Sequence, residues 1–421
     1  MSWFSGIALK LVDGILTTPS KIALSVLWLF YGPGRDDFAL GCIQSYDILA
    51  SVKPSYAMIN EKNFFLHKFS GVKDVSYLDR EDVTLYCVTE DEFVFVRTTP
   101  GVNIFDTEKF PFVYNIQHTT ALELLTAPHQ TVFDYLKGKP ARDGRNIAYL
   151  HNPGRCGSTA VAAMMFKTKQ CVVQSEPTPV LSLALMFNKK DFPASRKSTE
   201  YLELVRATFL LLCPDPETIY FIKPWGIQTL SLLPLLHQAL PGIKEMFMFR
   251  SIRPTVFSFK KLIGSENHFN FAGNMAISCL PVNYRNLWEK KNRGHGDEAW
   301  CFLVLSQIHA YLQEVQDRND IPSYSYESLK EDKEGFTRSL LADVGLGEEY
   351  LGAALSALEK DSQANSPSHN RGRTAGVERT SIPENVMEWA AELARNEFGI
   401  EMVGDEGRIM NMPHPWEKRG Q

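Results

Sequence analysis

The amino-acid sequence predicts an α/β protein in which a central parallel sheet is flanked by helices to form three layers, with an α+β extension before it. Residues 146–165 carry the clearest signal, because a buried apolar run is followed by a glycine-containing loop and the start of a helix. Two further short apolar runs, Thr218–Phe221 and Met246–Phe249, lead to a charged residue. Short apolar runs separated by longer helical segments are typical of buried parallel strands.

The chain is long enough for one large domain and an appended one, since it has 421 residues of which 44% are hydrophobic and 22% charged. We expect N-terminal helical segments over residues 1–35, an α+β extension over 36–143 and the main domain over 144–421. Residues 141–145, which are polar and charged, are the predicted boundary of the main domain.

The extension is predicted from local patterns. Alternating residues between Val83 and Arg97 indicate strands at 84–88 and 92–96, and Thr120–Leu136 indicates a helix with a break at Pro128. Two roles remain open for this region. It either forms a wall of the binding pocket or only stabilises the main domain.

The loop after the first strand of the main domain has the composition of an anion-binding site. Gly154 and Gly157 let the backbone turn, and a helix beginning near Ser158 directs unpaired N–H groups and the positive end of its dipole into the loop. Arg155 adds a charge and a fork of donors, and Ser158 and Thr159 add hydroxyl donors. A phosphate is the expected ligand.

The loop departs from that of nucleoside triphosphatases, which carry Lys directly before the Ser or Thr. Gly157 occupies that place here, which disfavours a simple ATPase or kinase. Cys156 in the same loop has two interpretations. It is either a reactive thiol, whose pKa the helix N-terminus and Arg155 lower, or a small residue that fits a crowded turn.

A second anion corner is predicted at the end of the next strand. Arg250 follows the apolar run, Pro254 suits the first turn of a new helix, and Ser258 lies about one turn further on. The carboxyl ends of parallel strands hold the ligand in open α/β sheets. We therefore expect Arg250 and Ser258 to converge beside the first loop.

These two motifs, in this order, resemble the sulfotransferase family, whose donor is 3′-phosphoadenosine-5′-phosphosulfate (PAPS). The run Gly154-Arg155-Cys156-Gly157-Ser158-Thr159 resembles the family's 5′-phosphosulfate loop in the form typical of carbohydrate-type members, with Arg155 where cytosolic members have Lys. Arg250 and Ser258, eight residues apart, resemble its 3′-phosphate site.

A third segment agrees more loosely. Trp300 begins an apolar helix, and Tyr324–Gly345 resembles the strand-turn-helix near the end of the family, with Ser328 in place of the usual acidic residue. The resemblance covers residues 146–375. It implies a three-layer P-loop-like fold and the in-line transfer of a sulfuryl group from PAPS to a hydroxyl acceptor, either a small molecule or a carbohydrate, without a metal ion.

The resemblance also bears on the general base. Cytosolic members have a Lys-Thr-His segment, and the comparable stretch here retains Lys223 but has Trp225 at the His position. Glu176, at the predicted end of a strand, is our candidate base, since a carboxylate against an apolar wall has its pKa raised towards the working range. His151 is the competing candidate. Arg155, Lys223 and Ser158 are expected to neutralise the departing oxygen.

A polar segment near the C-terminus, Asp361–Gly376, lacks the residues needed for a core. Family members often close a basic loop over the 3′-phosphate, and Arg371 and Arg373 would serve here. A solvated loop without a ligand role is the alternative.

Composition limits the partners. The net charge of −5 argues against nucleic acid as the main partner. The seven cysteines lack C-x-x-C pairs and histidines at zinc spacing, so no metal site is predicted. Two other functions remain open, namely a nucleotide kinase or triphosphatase with a degenerate loop, and an inactive protein that binds PAPS or its product.

The N-terminal region carries an apolar run of ten residues, Ile22–Tyr31, which is shorter than the ~20 residues that a bilayer span needs. We expect a cytoplasmic protein whose first helices pack together or contact a membrane surface peripherally. Anchoring in the Golgi, as in many carbohydrate-type relatives, is the alternative. The sequence carries no signal of oligomeric state.

Overall fold

The structure is a computed structural model. It describes residues 41–51, 60–189, 199–226, 229–263, 266–292, 294, 296–318, 320–359 and 382–418. The predicted N-terminal helical segments, with the apolar run Ile22–Tyr31, lie outside the described residues.

The extension forms an antiparallel five-stranded sheet with the order β2-β1-β5-β4-β3. Its strands are β1 (Cys42–Ser51), β2 (Phe65–Asp74), β3 (Val83–Val88), β4 (Glu92–Thr98) and β5 (Ala121–Pro128). Helix α1 (Val113–Thr120) precedes β5, and α2 (His129–Lys137) follows it. The strands predicted at 84–88 and 92–96 are β3 and β4.

The helix predicted over Thr120–Leu136 is wrong in its first half, where the structure has β5. This strand is central in its sheet, between β1 and β4, and Leu124–Ala127 are all buried. Burial on both faces removes the polar alternation that marks a strand, and the local helix propensity of Leu, Glu and Ala is overridden by cross-strand pairing. The second half, after Pro128, is helical as predicted.

A buried carboxylate ties the extension's strands together. Glu123 accepts hydrogen bonds from Arg97 Nε at 2.8 Å, from Ser45 Oγ at 2.5 Å and from Lys73 Nζ. Burial alone would raise the pKa of Glu123, but the bonds from Lys73, Ser45 and Arg97 outweigh it and lower the pKa to about 2 from its ordinary 4.5. These three contacts to the ionised carboxylate explain why a glutamate can occupy a buried position in a central strand.

The main domain is built on a parallel five-stranded sheet with the order β10-β9-β6-β8-β7. Its strands are β6 (Ile147–His151), β7 (Cys171–Ser175), β8 (Ile219–Lys223), β9 (Lys244–Phe249) and β10 (Ser323–Ser325). Helices cover both faces of this sheet. The predicted fold class, a three-layer α/β arrangement with an N-terminal α+β extension, is confirmed.

The helices of the main domain are α3 (Ser158–Lys167), α4 (Thr178–Lys189), α5 (Thr199–Leu212), α6 (Leu233–Ala239), α7 (Ile252–Ile263), α8 (Glu266–Ser278), α9 (Val282–Lys291), α10 (Gly296–Glu314), α11 (Tyr326–Glu331), α12 (Lys333–Val344), α13 (Leu351–Ser356) and α14 (Glu384–Phe398). A short hairpin of β11 (Met402–Val403) and β12 (Arg408–Ile409) follows. The helix predicted to begin at Trp300 is α10, which begins four residues earlier, at Gly296.

Alternate residues of β6 serve the two faces of the parallel sheet. Ala148 and Leu150 pack with α3 and α12, while Ile147 and Tyr149 pack into a cluster that also contains Leu85 of the extension. The extension and the parallel sheet therefore share one hydrophobic core. In the described part of the chain, no helix is long and apolar enough to cross a bilayer.

The Glu123 cluster gives a prediction for stability. Replacing Glu123 with Gln removes the buried anion that Lys73 and Arg97 contact, and we expect the free energy of unfolding at pH 7 to fall by about 1–3 kcal/mol. Because the folded-state pKa lies below the unfolded value, the wild type's advantage is complete above pH 4.5 and is lost as the pH falls towards 2.

Denaturant unfolding at pH 7 and pH 3 measures both effects. The matched control is Glu90→Gln, which alters an exposed carboxylate and should leave stability unchanged at both pH values. An equal loss in Glu123→Gln at the two pH values would contradict the assignment.

Candidate functional site

The predicted phosphate loop connects β6 to α3 at the carboxyl edge of the parallel sheet. Three of its residues have left-handed backbone conformations, with φ of 82° at Gly154, 55° at Arg155 and 93° at Gly157. Arg155 adopts this conformation without the freedom of a glycine, and such strain persists where surrounding contacts impose it. Gly157 is the N-cap residue of α3 and has no side chain that could cap the first turn. The N-terminus of α3 thus directs its backbone donors into the loop.

Asn152 fixes the shape of the loop. Its Nδ2 donates to the carbonyls of Leu150 at 3.2 Å and Pro224 at 3.3 Å, and its Oδ1 accepts from Gly154 N at 3.1 Å and Ser158 Oγ at 3.3 Å. One amide therefore joins the ends of β6 and β8 to both ends of the loop. Sequence reasoning missed Asn152, although a polar residue between a buried strand and Pro-Gly is a turn signal.

Glycines allow unusually close packing around the loop. A Cβ atom at Gly226, just after β8, would lie 2.0 Å from Gly154 N, and one at Gly157 would lie 2.4 Å from Tyr326 Cδ2. The loop is thus enclosed on one side by backbone and on another by an aromatic ring. Gly226 was not identified from the sequence.

The second predicted corner lies against the first. Arg155 Nε donates to Ser258 Oγ at 2.9 Å, and Arg250 Nη1 donates to the carbonyl of Arg155 at 3.5 Å. The Arg250 guanidinium lies 4.5 Å from the centroid of the Tyr326 ring. The structure therefore brings Arg155, Arg250 and Ser258 together.

The segment that follows β9 is held by a further carboxylate. Glu327, in the first turn of α11, accepts from Ser251 Oγ at 2.8 Å and from Ser251 N at 3.1 Å. This contact fixes the residue after Arg250 and places Tyr326 beside the loop. Through Tyr326 and Glu327, the third motif (Tyr324–Gly345) therefore helps to hold the site in place.

The site concentrates positive charge away from water. Burial lowers the pKa of Arg155, Arg250 lowers it further, and the Glu176 carboxylate opposes both. Arg250 Nε is buried and has no hydrogen-bond partner among the described residues. A buried guanidinium donor without an acceptor is costly, and this cost adds to that of bringing two arginines together at this corner.

Glu176 and Lys223 form an ion pair where β7 and β8 end. Glu176 N donates to the Lys223 carbonyl at 2.6 Å, which continues the sheet pairing, and Glu176 has a φ of 57°. Lys223 Nζ donates to the Glu176 carboxylate, with side-chain exposures of 4% and 15%. A cation therefore lies beside the carboxylate, which the expectation of an apolar wall did not include.

The extension reaches this ion pair through aromatic side chains. Lys223 Nζ lies 5.7 Å from the centroid of the Phe112 ring, and the rings of Tyr114 and Trp225 are 5.7 Å apart. Burial, reinforced by the Glu176 charge, raises the pKa of Tyr114 well above its ordinary value. The extension thus contacts the candidate site directly as well as sharing the core.

His151 lies inside the protein. Its Nε2 is 2.9 Å from a carboxylate oxygen of Glu245, both side chains are fully buried, and Arg318 Nη1 donates to the other Glu245 oxygen at 2.7 Å. Burial lowers the pKa of His151. We therefore assign His151 to the support of β6 and β9 rather than to contact with a ligand.

The remaining candidate site residues lie partly in the phosphate loop and partly outside the described residues. Cys156 is fully buried, and burial raises the pKa of its thiol, which favours the interpretation as a small residue in a crowded turn. Thr159 is half-buried at the second position of α3. Arg371 and Arg373 lie outside the described residues. Within the described ranges, no three His, Cys, Asp or Glu side chains form a group suited to a metal ion.

Comparisons with known proteins gave matches among solved structures. No family model and no curated protein matches the chain. A sulfotransferase domain from the curacin biosynthetic pathway is 11% identical, with 60% of this chain and 99% of that chain covered and a TM-score of 0.34. Retinol dehydratase in complex with androsterone and inactive cofactor PAP is 15% identical, with coverages of 61% and 81% and a TM-score of 0.35. A sulfotransferase from Alicyclobacillus acidocaldarius is 14% identical, with coverages of 56% and 95% and a TM-score of 0.28.

The close approach at Gly226 gives a second prediction. Gly226→Ala places a methyl group against the loop backbone, and we expect the free energy of unfolding to fall by about 1–3 kcal/mol, as in other overpacked sites. Thermal and denaturant unfolding measure the loss. Gly352→Ala is the matched control, because its Cβ meets open space inside α13 and should stabilise the helix by up to ~1 kcal/mol. Equal stability of the two variants would refute the tight packing.

Proposed function

We propose that this protein is a sulfotransferase that moves a sulfuryl group from PAPS to a hydroxyl acceptor. The observation that carries the proposal is the contact between the two cationic corners, Arg155 Nε to Ser258 Oγ and Arg250 Nη1 to the Arg155 carbonyl. A ligand with two separated anionic groups satisfies both corners at once. An adenosine bisphosphate has that arrangement of charge.

The residues present fit such a donor. Gly154–Thr159 would hold the 5′-phosphosulfate, because the glycines allow the left-handed turns of the loop and α3 directs its N-terminus there. Arg250 and Ser258 would hold the 3′-phosphate through the guanidinium group and the hydroxyl. When bound, PAPS supplies the sulfuryl group that is transferred. Arg371 and Arg373 remain proposed contacts of the 3′-phosphate.

The geometry opposes a kinase or triphosphatase. Such a loop needs Lys at position 157, where the backbone has a φ of 93° and a Cβ would lie 2.4 Å from Tyr326 Cδ2. A lysine there would be strained and would collide with the ring. The packing around Gly157 is therefore incompatible with a lysine at this position.

Glu176 is the proposed general base. Its carboxylate lies at the end of β7 beside the Lys223 ammonium, and a carboxylate is a group that can accept the proton of an acceptor hydroxyl. Once Glu176 is protonated, Lys223 loses its anionic partner. The Lys223 ammonium can then donate to negative charge that develops on the departing oxygen, together with Arg155 and Ser158.

The aromatic side chains around the pair help to exclude water and orient the acceptor. The Phe112 ring lies 5.7 Å from Lys223 Nζ and stacks on Tyr114, whose ring in turn lies 5.7 Å from that of Trp225 in the main domain. Holding the acceptor hydroxyl in line with the group to be transferred contributes to rate without any added charge. The proposed acceptor is a small molecule or a carbohydrate with a free hydroxyl.

Arg250 provides the test of donor binding. We expect Arg250→Ala to weaken the binding of adenosine 3′,5′-bisphosphate by about 10- to 100-fold, because a charge-assisted hydrogen bond contributes about 1.5–3 kcal/mol. Isothermal titration calorimetry measures the affinity, with Arg145→Ala as control, since Arg145 is 82% exposed and pairs with Asp143. Magnesium-dependent binding of ATP in preference to the bisphosphate would instead support the kinase alternative.

Glu176 provides the test of catalysis. Glu176→Gln should lower turnover by about 10²- to 10⁴-fold, the usual contribution of a general base, while the affinity for adenosine 3′,5′-bisphosphate stays within about threefold. Sulfur-labelled PAPS, a panel of phenols, sterols and sugars, and mass spectrometry of the products measure turnover. Glu90→Gln is the control.

Two results would count against this assignment. Near wild-type turnover in Glu176→Gln would remove it as the base. Tight binding of the bisphosphate by the wild type, with no transfer to any acceptor, would favour an inactive binding protein.

A further inference from the structure

A short hairpin near the C-terminus lies against the start of α7, the helix that carries Ser258. Its strands, β11 and β12, are joined by the turn 404–407, in which Gly407 N donates to the Gly404 carbonyl at 3.0 Å. Gly404 and Gly407 have left-handed φ values of 68° and 66°, which glycine adopts without strain. The hairpin is therefore tight, and its turn is the part that meets α7.

Three consecutive carbonyls of this turn accept hydrogen bonds from the first residues of α7. Gly407 O accepts from Ile252 N at 3.1 Å. Glu406 O and Asp405 O both accept from Arg253, through its N at 3.1 Å and its Nε at 2.7 Å. The first N–H groups of a helix have no acceptor within the helix, and the hairpin supplies it here.

These bonds limit how the corner formed by Arg250 and Ser258 can hold an anion. Ser251 N already donates to Glu327, the next two amides donate to the hairpin, and Pro254 has no N–H. The backbone of residues 251–254 therefore has no free donor for a phosphate. Binding at this corner depends on the side chains of Arg250 and Ser258, and hence on the position of α7, which begins between them.

The Arg253 side chain holds the same point a second time. It is 12% exposed, and besides the bond to Asp405 it donates through Nη1 to the Ile382 carbonyl at 2.8 Å and through Nη2 to the Glu384 carboxylate at 2.5 Å. One guanidinium thus joins the hairpin, the start of α14 and the start of α7. Because protein acceptors occupy Nε and both terminal nitrogens, Arg253 is suited to support and not to ligand contact.

The hairpin is itself fixed in the core. Ile252 and Ile409 are buried in one cluster with Met387 of α14. A Cβ atom at Gly407 would lie 3.3 Å from Ile252 Cβ, whereas one at Gly404 would have no atom within 4 Å. The contact between hairpin and helix therefore leaves little room for α7 to shift.

We propose that Arg253 is a positioning residue of the donor site, which holds the start of α7 so that Arg250 and Ser258 can contact one 3′-phosphate together. This inference rests on the proposed function, which assigns the 3′-phosphate to that corner. The loop 154–159 is held separately, by Asn152. Loss of the Arg253 bonds should therefore weaken recognition of the 3′-phosphate and spare that of the 5′ group.

The test compares adenosine 3′,5′-bisphosphate with adenosine 5′-monophosphate by calorimetry on the full chain. Arg253→Met keeps the apolar stem and removes the hydrogen bonds. We expect it to weaken bisphosphate binding about 5- to 50-fold, as for residues that orient metal ligands, and to change monophosphate binding less than about twofold. Arg253→Lys, which keeps the charge without the planar fork, should show a smaller loss of the same kind.

Arg206→Met is the matched control. Arg206 is also a partly buried arginine that donates to backbone carbonyls, those of Arg142 and Ala239, in another part of the fold. Its replacement should change the affinity for neither nucleotide by more than about twofold, since distant sites act independently. A general loss of stability is thereby separated from a loss of positioning.

The two glycines of the turn give a second comparison, which decides the matter if circular dichroism shows that Arg253→Met does not fold. Gly407→Ala and Gly404→Ala strain the backbone alike, but only the first places a methyl group against Ile252. We expect Gly407→Ala to weaken bisphosphate binding about 3- to 10-fold and Gly404→Ala to change it less than about twofold, because small displacements of positioning groups are costly.

Three results would count against the positioning role. An equal loss for both nucleotides in Arg253→Met would indicate a general structural role and overturn the proposal. A preference for the bisphosphate that persists unchanged in Arg253→Met and Gly407→Ala would overturn it while leaving the proposed function intact. A wild type that does not prefer the bisphosphate to the monophosphate would overturn the proposed function, and the positioning role with it.

Discussion

The site depends on keeping two like-charged guanidinium groups together at one edge of the sheet. Burial lowers the pKa of Arg155 most, and repulsion by Arg250 lowers it further. The approach of the two groups is imposed by surrounding contacts. Asn152 fixes the loop, Glu327 fixes the residue after Arg250, and Ser258 accepts from Arg155. The fold thus maintains an electrostatic cost that an anion would relieve.

The sequence predicted the parallel sheet because β6, β8 and β9 are short, apolar and followed by a charged residue or a distinctive loop, whereas β10, Ser-Tyr-Ser, was indicated only by the family resemblance. It failed at β5, where burial on both faces of a central antiparallel strand hides the alternation and Leu124 and Leu125 suggest a helix. Local propensity describes a segment alone. The partner strands that decide its structure are distant in the chain.

The candidate site was predictable where a local motif carries the chemistry, as in the loop 154–159 and the Arg250/Ser258 pair. Asn152, Gly226 and Glu327 were not identified, because their roles arise from contacts between segments far apart in sequence. His151 shows the converse. It lies next to the loop in sequence, yet the strand directs its side chain to Glu245 in the interior.

The core shared by the extension and the main domain has a consequence for how this chain can be divided. Leu85, Phe93 and Phe95 of the extension pack in one cluster with Tyr149 and Ile222 of the parallel sheet. Cutting at residues 141–145 would expose that apolar face on both fragments, and neither would be expected to stay in solution alone. The two sheets therefore form one folding unit. Neither sheet is expected to fold if it is transferred alone into another protein.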